Sequence, residues 1–158
     1  MPGYWGVFTL QRKMEESKGR ILAIDYGEVR IGVAVTDELQ ILVSPLEVIN
    51  TRKVDPVKRI FEIVEEKGVT EVVLGMPYLL SGKEGRLAGQ VKKFKQELEK
   101  ILPVPVILYD ERFTSKIAER ELRERGIKPS RNREKVDLFS AGILLEDYLE
   151  YRKRRRSR

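Results

Sequence analysis

Cysteine and histidine are both absent from the 158 residues, and the double absence removes whole classes of chemistry. Disulfide scaffolds, Cys/His zinc sites, thiol nucleophiles, Ser-His-Asp triads and HExxH metalloproteases are excluded. Acids, bases and metal ligands must then come mainly from Asp, Glu, Lys, Tyr or the backbone, a donor set suited to hard, oxygen-ligated cations such as Mg2+ or Mn2+. Also missing is any apolar run near the roughly 18 residues of a membrane span. The start, MPGYWGVFTLQRKM, lacks the basic head, greasy centre and small-residue cleavage site of a secretory signal. A cytoplasmic protein with no membrane partner is expected. Asn and Gln are scarce beside Glu, Lys and Arg, a balance that points to a heat-adapted source.

Hydrophobic residues make up 41% and charged residues 35%, enough apolar material for a core and too much for a disordered chain. The length suits one domain of roughly 100–200 residues. Charge is unevenly placed: 31 basic and 25 acidic residues give +6, and the final YRKRRRSR holds six bases and no acid, so residues 1–150 balance. Such a tail suits a phosphate backbone or an acidic membrane surface, and equally serves as a solubilising end. No apolar anchor accompanies it, which favours nucleic acid.

Three units are expected: a loosely attached extension over 1–19, a domain over 20–150 and the basic tail 151–158. The extension shows no periodicity, and Met14, just before the periodic part, offers a later start as a competing explanation. From Arg20, ILAID reads as a buried strand, YGEV as a tight turn, RIGVAVTD as a hairpin partner and ILVSPLEVI as a third strand. Asp55 and Pro56 then start a helix through Val57, Ile60, Phe61 and Val64 that Gly68 stops. TEVVLGMP is a further strand. Ser81 and Glu84 form a capping-box pattern ahead of a helix through Val91, Phe94, Leu98 and Ile101. VPVILYD is the last strand, Thr114 or Ser115 starts a helix that Gly126 closes, and the basic loop IKPSRNRE leads to a final helix over Lys135–Arg152. This order predicts an α/β fold: a mixed central sheet, three strands in a meander and the later ones parallel, flanked by helices.

Three carboxylates stand where burial makes an acid costly. Asp25 closes an apolar strand, Glu111 follows PVILY, and Asp137 opens the last helix on the face of Ala141, Leu144 and Tyr148. Both strand-borne acids lie at the carboxyl ends of their runs, where open α/β sheets place their clefts. Each also has a plainer reading: Asp25 as a turn former, Glu111 as a surface partner of Arg112, Asp137 as an acid complementing the helix dipole. Arg30, Arg112 and Lys135 accompany these acids, either to orient a phosphate or as ordinary surface ion pairs. Lys83 and Arg86, on the glycine-bearing SGKEGR loop, attract phosphate or merely solvate it.

The segments AIDYGEVRIGVAVTD, VVLGMPYLLSGKEG, YDERFTSKIAERELRERG and EKVDLFSAGILLEDYL resemble, in order, the motifs of the YqgF/RuvX family of pre-16S rRNA nucleases, also called Holliday junction resolvases. The resemblance spans about residues 20–150. It implies an RNase H-like fold and carries the family's catalytic acids to Asp25, Glu111 and Asp137, with Arg30, Arg112 and Lys135 at its basic positions. Two departures exist. Leu79 and Leu80 replace more polar residues before Ser81-Gly82, and Glu134-Lys135-Val136-Asp137 differs from the commoner Lys-Gly-x-x-Asp spacing.

The implied chemistry is phosphodiester hydrolysis. A single general base supplies only about 10²–10⁴ of acceleration, whereas two oxygen-ligated Mg2+ or Mn2+ ions activate water and stabilise the leaving oxygen. In that scheme Asp25 anchors the metals, Glu111 and Asp137 complete their ligands, and Arg30, Arg112 and the tail position the nucleic acid. Expected substrates are pre-16S rRNA or, alternatively, branched DNA cut by a resolvase whose paired incisions would favour a dimer over a monomer. A non-catalytic nucleic-acid-binding factor in ribosome assembly or transcription is a further alternative. A sugar-kinase or actin-like ATPase has less support, because one domain offers no second lobe to close over a nucleotide.

Overall fold

Two aliphatic runs flank the turn at residues 26–29 and form an antiparallel pair, β1 (Arg20–Asp25) and β2 (Arg30–Thr36), with Asp25 opposite Gly32. The computed structural model describes residues 19–79, 81–111 and 114–156; residues 1–18 of the expected 1–19 extension, Met14 among them, and Leu80, Arg112 and the last two tail residues lie outside them. β3 (Val43–Asn50) extends the meander. It starts later than Ile41 because the Asp37 side chain accepts hydrogen bonds from the backbone N–H groups of Ile41 and Leu42 at 2.7 and 3.0 Å, holding both in the loop.

The first helix, α1 (Pro56–Lys67), begins where the sequence says it should. Asp55 caps it by accepting from the Val57 N–H at 3.1 Å, and Gly68 ends it in the left-handed conformation at φ 65°. Its buried stripe is Ile60, Ile63 and Val64; Phe61 stays at the surface because Ile63 completes the face instead. β4 (Val69–Met76) follows. α2 (Arg86–Ile101) starts beyond the expected capping box: Gly85 is its N-cap with no side-chain bond, and Glu84 instead binds Lys92 at 2.6 Å. β5 (Val106–Asp110), α3 (Thr114–Glu124), a 3-10 turn (Pro129–Arg131) and α4 (Arg133–Arg156) complete the described chain. The last helix runs past the expected end at Arg152, so the basic residues to Arg156 lie within it.

The sheet order is β3-β2-β1-β4-β5, with β1, β4 and β5 mutually parallel and β2 and β3 antiparallel to their neighbours. That is the RNase H-like arrangement and the mixed α/β sheet that the motif order implied. Strand alternation sends side chains to two cores. Leu22, Ile24, Ile31, Val33, Val72 and Leu74 face α1 and α2, while Ile21, Ala23, Ala34 and Val73 face Ala141, Leu144, Leu145 and Tyr148 of α4. Asp25 follows Ile21 and Ala23 in this alternation, which directs it to the α4 side.

Candidate active site

Asp25 ends β1, and Glu111 follows the last residue of β5 with its backbone N–H donating to the Met76 carbonyl at 3.1 Å. Strand β4 lies between them. Its Gly75 is the reason that they meet: a Cβ there would fall 2.2 Å from Glu111 Oε2. With no side chain in the way, the Glu111 carboxyl donates a hydrogen bond to Asp25. A second glycine does the same for the helix. Gly32, opposite Asp25, leaves room for the first turns of α4, since a Cβ there would lie 2.2 Å from the Asp137 carbonyl oxygen. Neither glycine stood out in the sequence, although glycine inside a strand is the recognised mark of close backbone approach.

The electrostatics follow from this packing. Burial is the main cause that raises Asp25 to about 6, with the Glu111 hydrogen bond opposing and the Asp137 charge adding to the rise. Glu111 is pushed further, to about 10, by burial first and then by Asp25. The pair therefore holds a proton at neutral pH, as two carboxyls in contact must without a cation. Asp137 is raised by burial against the pull of Arg30, whose Nε–H donates to Asp137 Oδ2 at 2.8 Å. Among the described residues no three acids are gathered tightly enough to hold a metal ion as they stand. The structure brings Asp25 and Glu111 into contact and places Asp137 within electrostatic reach, tied to Arg30.

The donor set nonetheless fits a divalent cation. It consists of hard oxygens only, seated on a glycine floor, and its one proton occupies the position of positive charge that an ion would take. The basic residues divide. Arg30 and Lys135 line a cleft of about 440 Å³ beside Asp137, together with Arg131, Arg133, Asn50 and Asn132. Arg131 and Arg133 were not singled out in the sequence, where they read only as part of a basic loop. Arg86 begins α2 and reaches Glu28 of the β1–β2 turn at 3.5 Å, while Lys83 sits on the exposed loop whose Leu79 N–H donates to its carbonyl. Arg112 lies outside the described residues.

Paired acids at the carboxyl ends of parallel strands, with cations on their rim and an RNase H-like sheet beneath, are an arrangement suited to a phosphodiester hydrolase of the nuclease type, the class to which comparisons with known proteins assign the chain. Residues 19–151 match the model of the RuvX family, described as "Holliday junction resolvase", and the chain belongs to that family. Its relatives include a "Putative pre-16S rRNA nuclease" of Chloroflexus aurantiacus, 40% identical over 84% of this chain and 88% of that protein. One of the same name from Streptomyces avermitilis is 44% identical over 84% of this chain and 86% of that protein. Among solved structures, T. thermophilus RuvC in complex with a Holliday junction substrate superposes with a TM-score of 0.49 at 19% identity, over 80% of this chain and 91% of that one. The fold assignment rests on the sheet order and register, not on that superposition.

Proposed function

We propose that this nuclease hydrolyses phosphodiesters in the maturation of the 5′ end of 16S rRNA, in the cytoplasm, with Mg2+ or Mn2+ as its cofactor. The names of its relatives support the substrate, and the absence among the described residues of a helix long and apolar enough to cross a membrane is consistent with the location. Residues 20–150 form the catalytic unit in this reading, with the basic residues from 151 onward as an accessory to binding. Asp25 and Glu111 would hold the ion, and Asp137, paired with Arg30 in this structure, would complete its ligands. A bound divalent ion supplies the positive charge that lets water attack and the leaving oxygen depart. Arg30 would face the phosphate, with Lys135, Arg131 and Arg133 holding the backbone beside it. Lys83, Arg86 and Arg112 extend the basic rim.

One observation carries the reading. The Asp25 and Glu111 carboxyls touch across Gly75 although 86 positions separate them in the chain, and no packing need calls for two buried acids in contact. Replacing Asp25 by Asn is expected to abolish cleavage of a precursor 16S RNA with either ion while leaving the circular dichroism spectrum unchanged. Unaltered cleavage rejects the assignment. The family description favours a second reading, a resolvase of four-way DNA junctions. Paired incisions would favour a homodimer, so junction cleavage by a dimer, with precursor RNA left uncut, would replace the first reading with the second.

A further inference from the structure

On the α4 side of the sheet, at its open edge, a cavity of about 510 Å³ lies between β5 and the C-terminal half of α4. Tyrosine rings and guanidinium groups form its walls. Tyr109 meets Tyr148 edge-on with centroids 5.4 Å apart and Tyr151 at 5.5 Å, while Arg152 lies over the Tyr148 ring and Arg155 over the Tyr151 ring at 5.8 and 5.7 Å. The phenol groups are already engaged: Tyr109 donates to Asp147 at 2.7 Å, Tyr148 donates to Glu71, and Tyr151 accepts from Arg155 at 2.9 Å. What the cavity offers a ligand is therefore ring surface and positive charge. The acids nearby are partly spoken for, Asp147 by Tyr109 and Glu71 by Tyr148 and by Arg152 at 3.7 Å; Asp110 also lines the wall.

Aromatic faces beside arginines are the combination that binds unpaired bases, which stack on the rings while the cations take the phosphates. The location matters as much as the chemistry. Tyr109 is two residues before Glu111 and on the same face, so the cavity begins about 7 Å of strand from the acid pair, within the reach of one nucleotide. Arg152 and Arg155, three positions apart on α4, bring their positive charge to the same wall of the cavity.

We infer that this cavity binds an unpaired base next to the scissile phosphate, so the substrate is single-stranded where it is cut. The inference rests on the nuclease reading only for the word scissile; binding itself is separable from chemistry. A base stacked on the exposed side of Tyr151 has left any duplex, so fully paired strands leave the cavity unused.

The test uses the full chain carrying Asp25→Asn, so that a probe survives intact. Short oligouridylate and oligothymidylate strands containing 5-iodouracil are irradiated with the protein, and the cross-linked residues are mapped by mass spectrometry. Cross-links to Tyr109 or Tyr151 are expected. Adding Tyr151→Ala should weaken both strands by about ten-fold and leave a fully paired duplex of equal length unaffected, while Tyr151→Phe retains tight binding. Cross-links confined to other residues, unchanged single-strand affinity in Tyr151→Ala, or an equal loss for duplex would overturn the inference. Unchanged affinity would also leave a protein segment as the better occupant. Failure of the nuclease reading has a different signature, cleavage that survives Asp25→Asn, so the two can fail independently.

Discussion

The two faces of the sheet are built to different rules. Toward α1 and α2 the strands present Leu22, Ile24, Ile31, Val33, Val72 and Leu74, bulky and fully buried. Toward α4 the same strands present Ala23, Gly32, Ala34 and Gly75 beside the larger Ile21 and Val73, with Asp25 at the end of the row. Large residues on one side fill space and supply most of the hydrophobic stabilisation at about 1.5–3 kcal/mol each. Small residues on the other side let a helix approach the sheet closely and let carboxylates cross it. Most of the bulky packing lies on one face and the candidate site on the other.

That division can be broken from either side. Leu74→Ala on the bulky face should lower the unfolding free energy by about 3–4 kcal/mol and leave the cleavage rate per folded molecule unchanged, as denaturant titration and single-turnover kinetics would read. Its neighbour Gly75→Ala should do the reverse. The added methyl displaces the Glu111 carboxyl, and a misplacement of about 1 Å costs on the order of 10²-fold in rate, with a smaller change in stability. Equal losses in both properties for both variants would erase the distinction.

The acid pair offers a test with the opposite sign. Asp25 in the unfolded chain loses its proton near 3.8 and in the folded chain near 6, so the folded state binds more protons in that window and stability falls as pH rises through it. Below about pH 4 the penalty is absent; above about pH 6 it is complete, on the order of 3 kcal/mol for Asp25. Asp25→Asn should therefore raise the melting temperature of the metal-free protein by several degrees at pH 8 and hardly at all at pH 4. Calorimetric scans at the two values check this, and a loss of stability at pH 8 would contradict it. The smallest effect belongs to a site remote from both faces: Asp55→Ala removes the α1 cap and should cost about 1 kcal/mol with no change in cleavage.

The strands and the capped helix α1 were legible because their signals are local. ILAID and RIGVAVTD carry alternation, and Asp55-Pro56 with Gly68 marks both ends of α1. Ala141, Leu144 and Tyr148 were placed on Asp137's face by helical spacing, and all three are buried there. The capping box failed because Ser81 and Glu84 have competing local partners: Glu84 prefers Lys92, and the Ser81 hydroxyl accepts from the Lys83 N–H at 3.4 Å. The contact of the candidate acids Asp25 and Glu111 was legible in the sequence, and the floor beneath them was not. Gly32 and Gly75 matter for what crosses above them from distant segments, and only the register of β2 against β1 and of β4 against β5 reveals that. Arg131 and Arg133 were hidden likewise, since the cleft that they share with Arg30 joins segments about a hundred positions apart.

The central claim is that the Asp25–Glu111 pair holds a divalent ion in place of its proton. Titration of the metal-free protein with Mn2+ near pH 7, in buffers of different ionisation enthalpy, measures both affinity and the protons released. The account predicts saturable binding with release of about one proton per site, lost in Asp25→Asn and in Glu111→Gln. Binding that releases no proton, or that survives both substitutions, would contradict it.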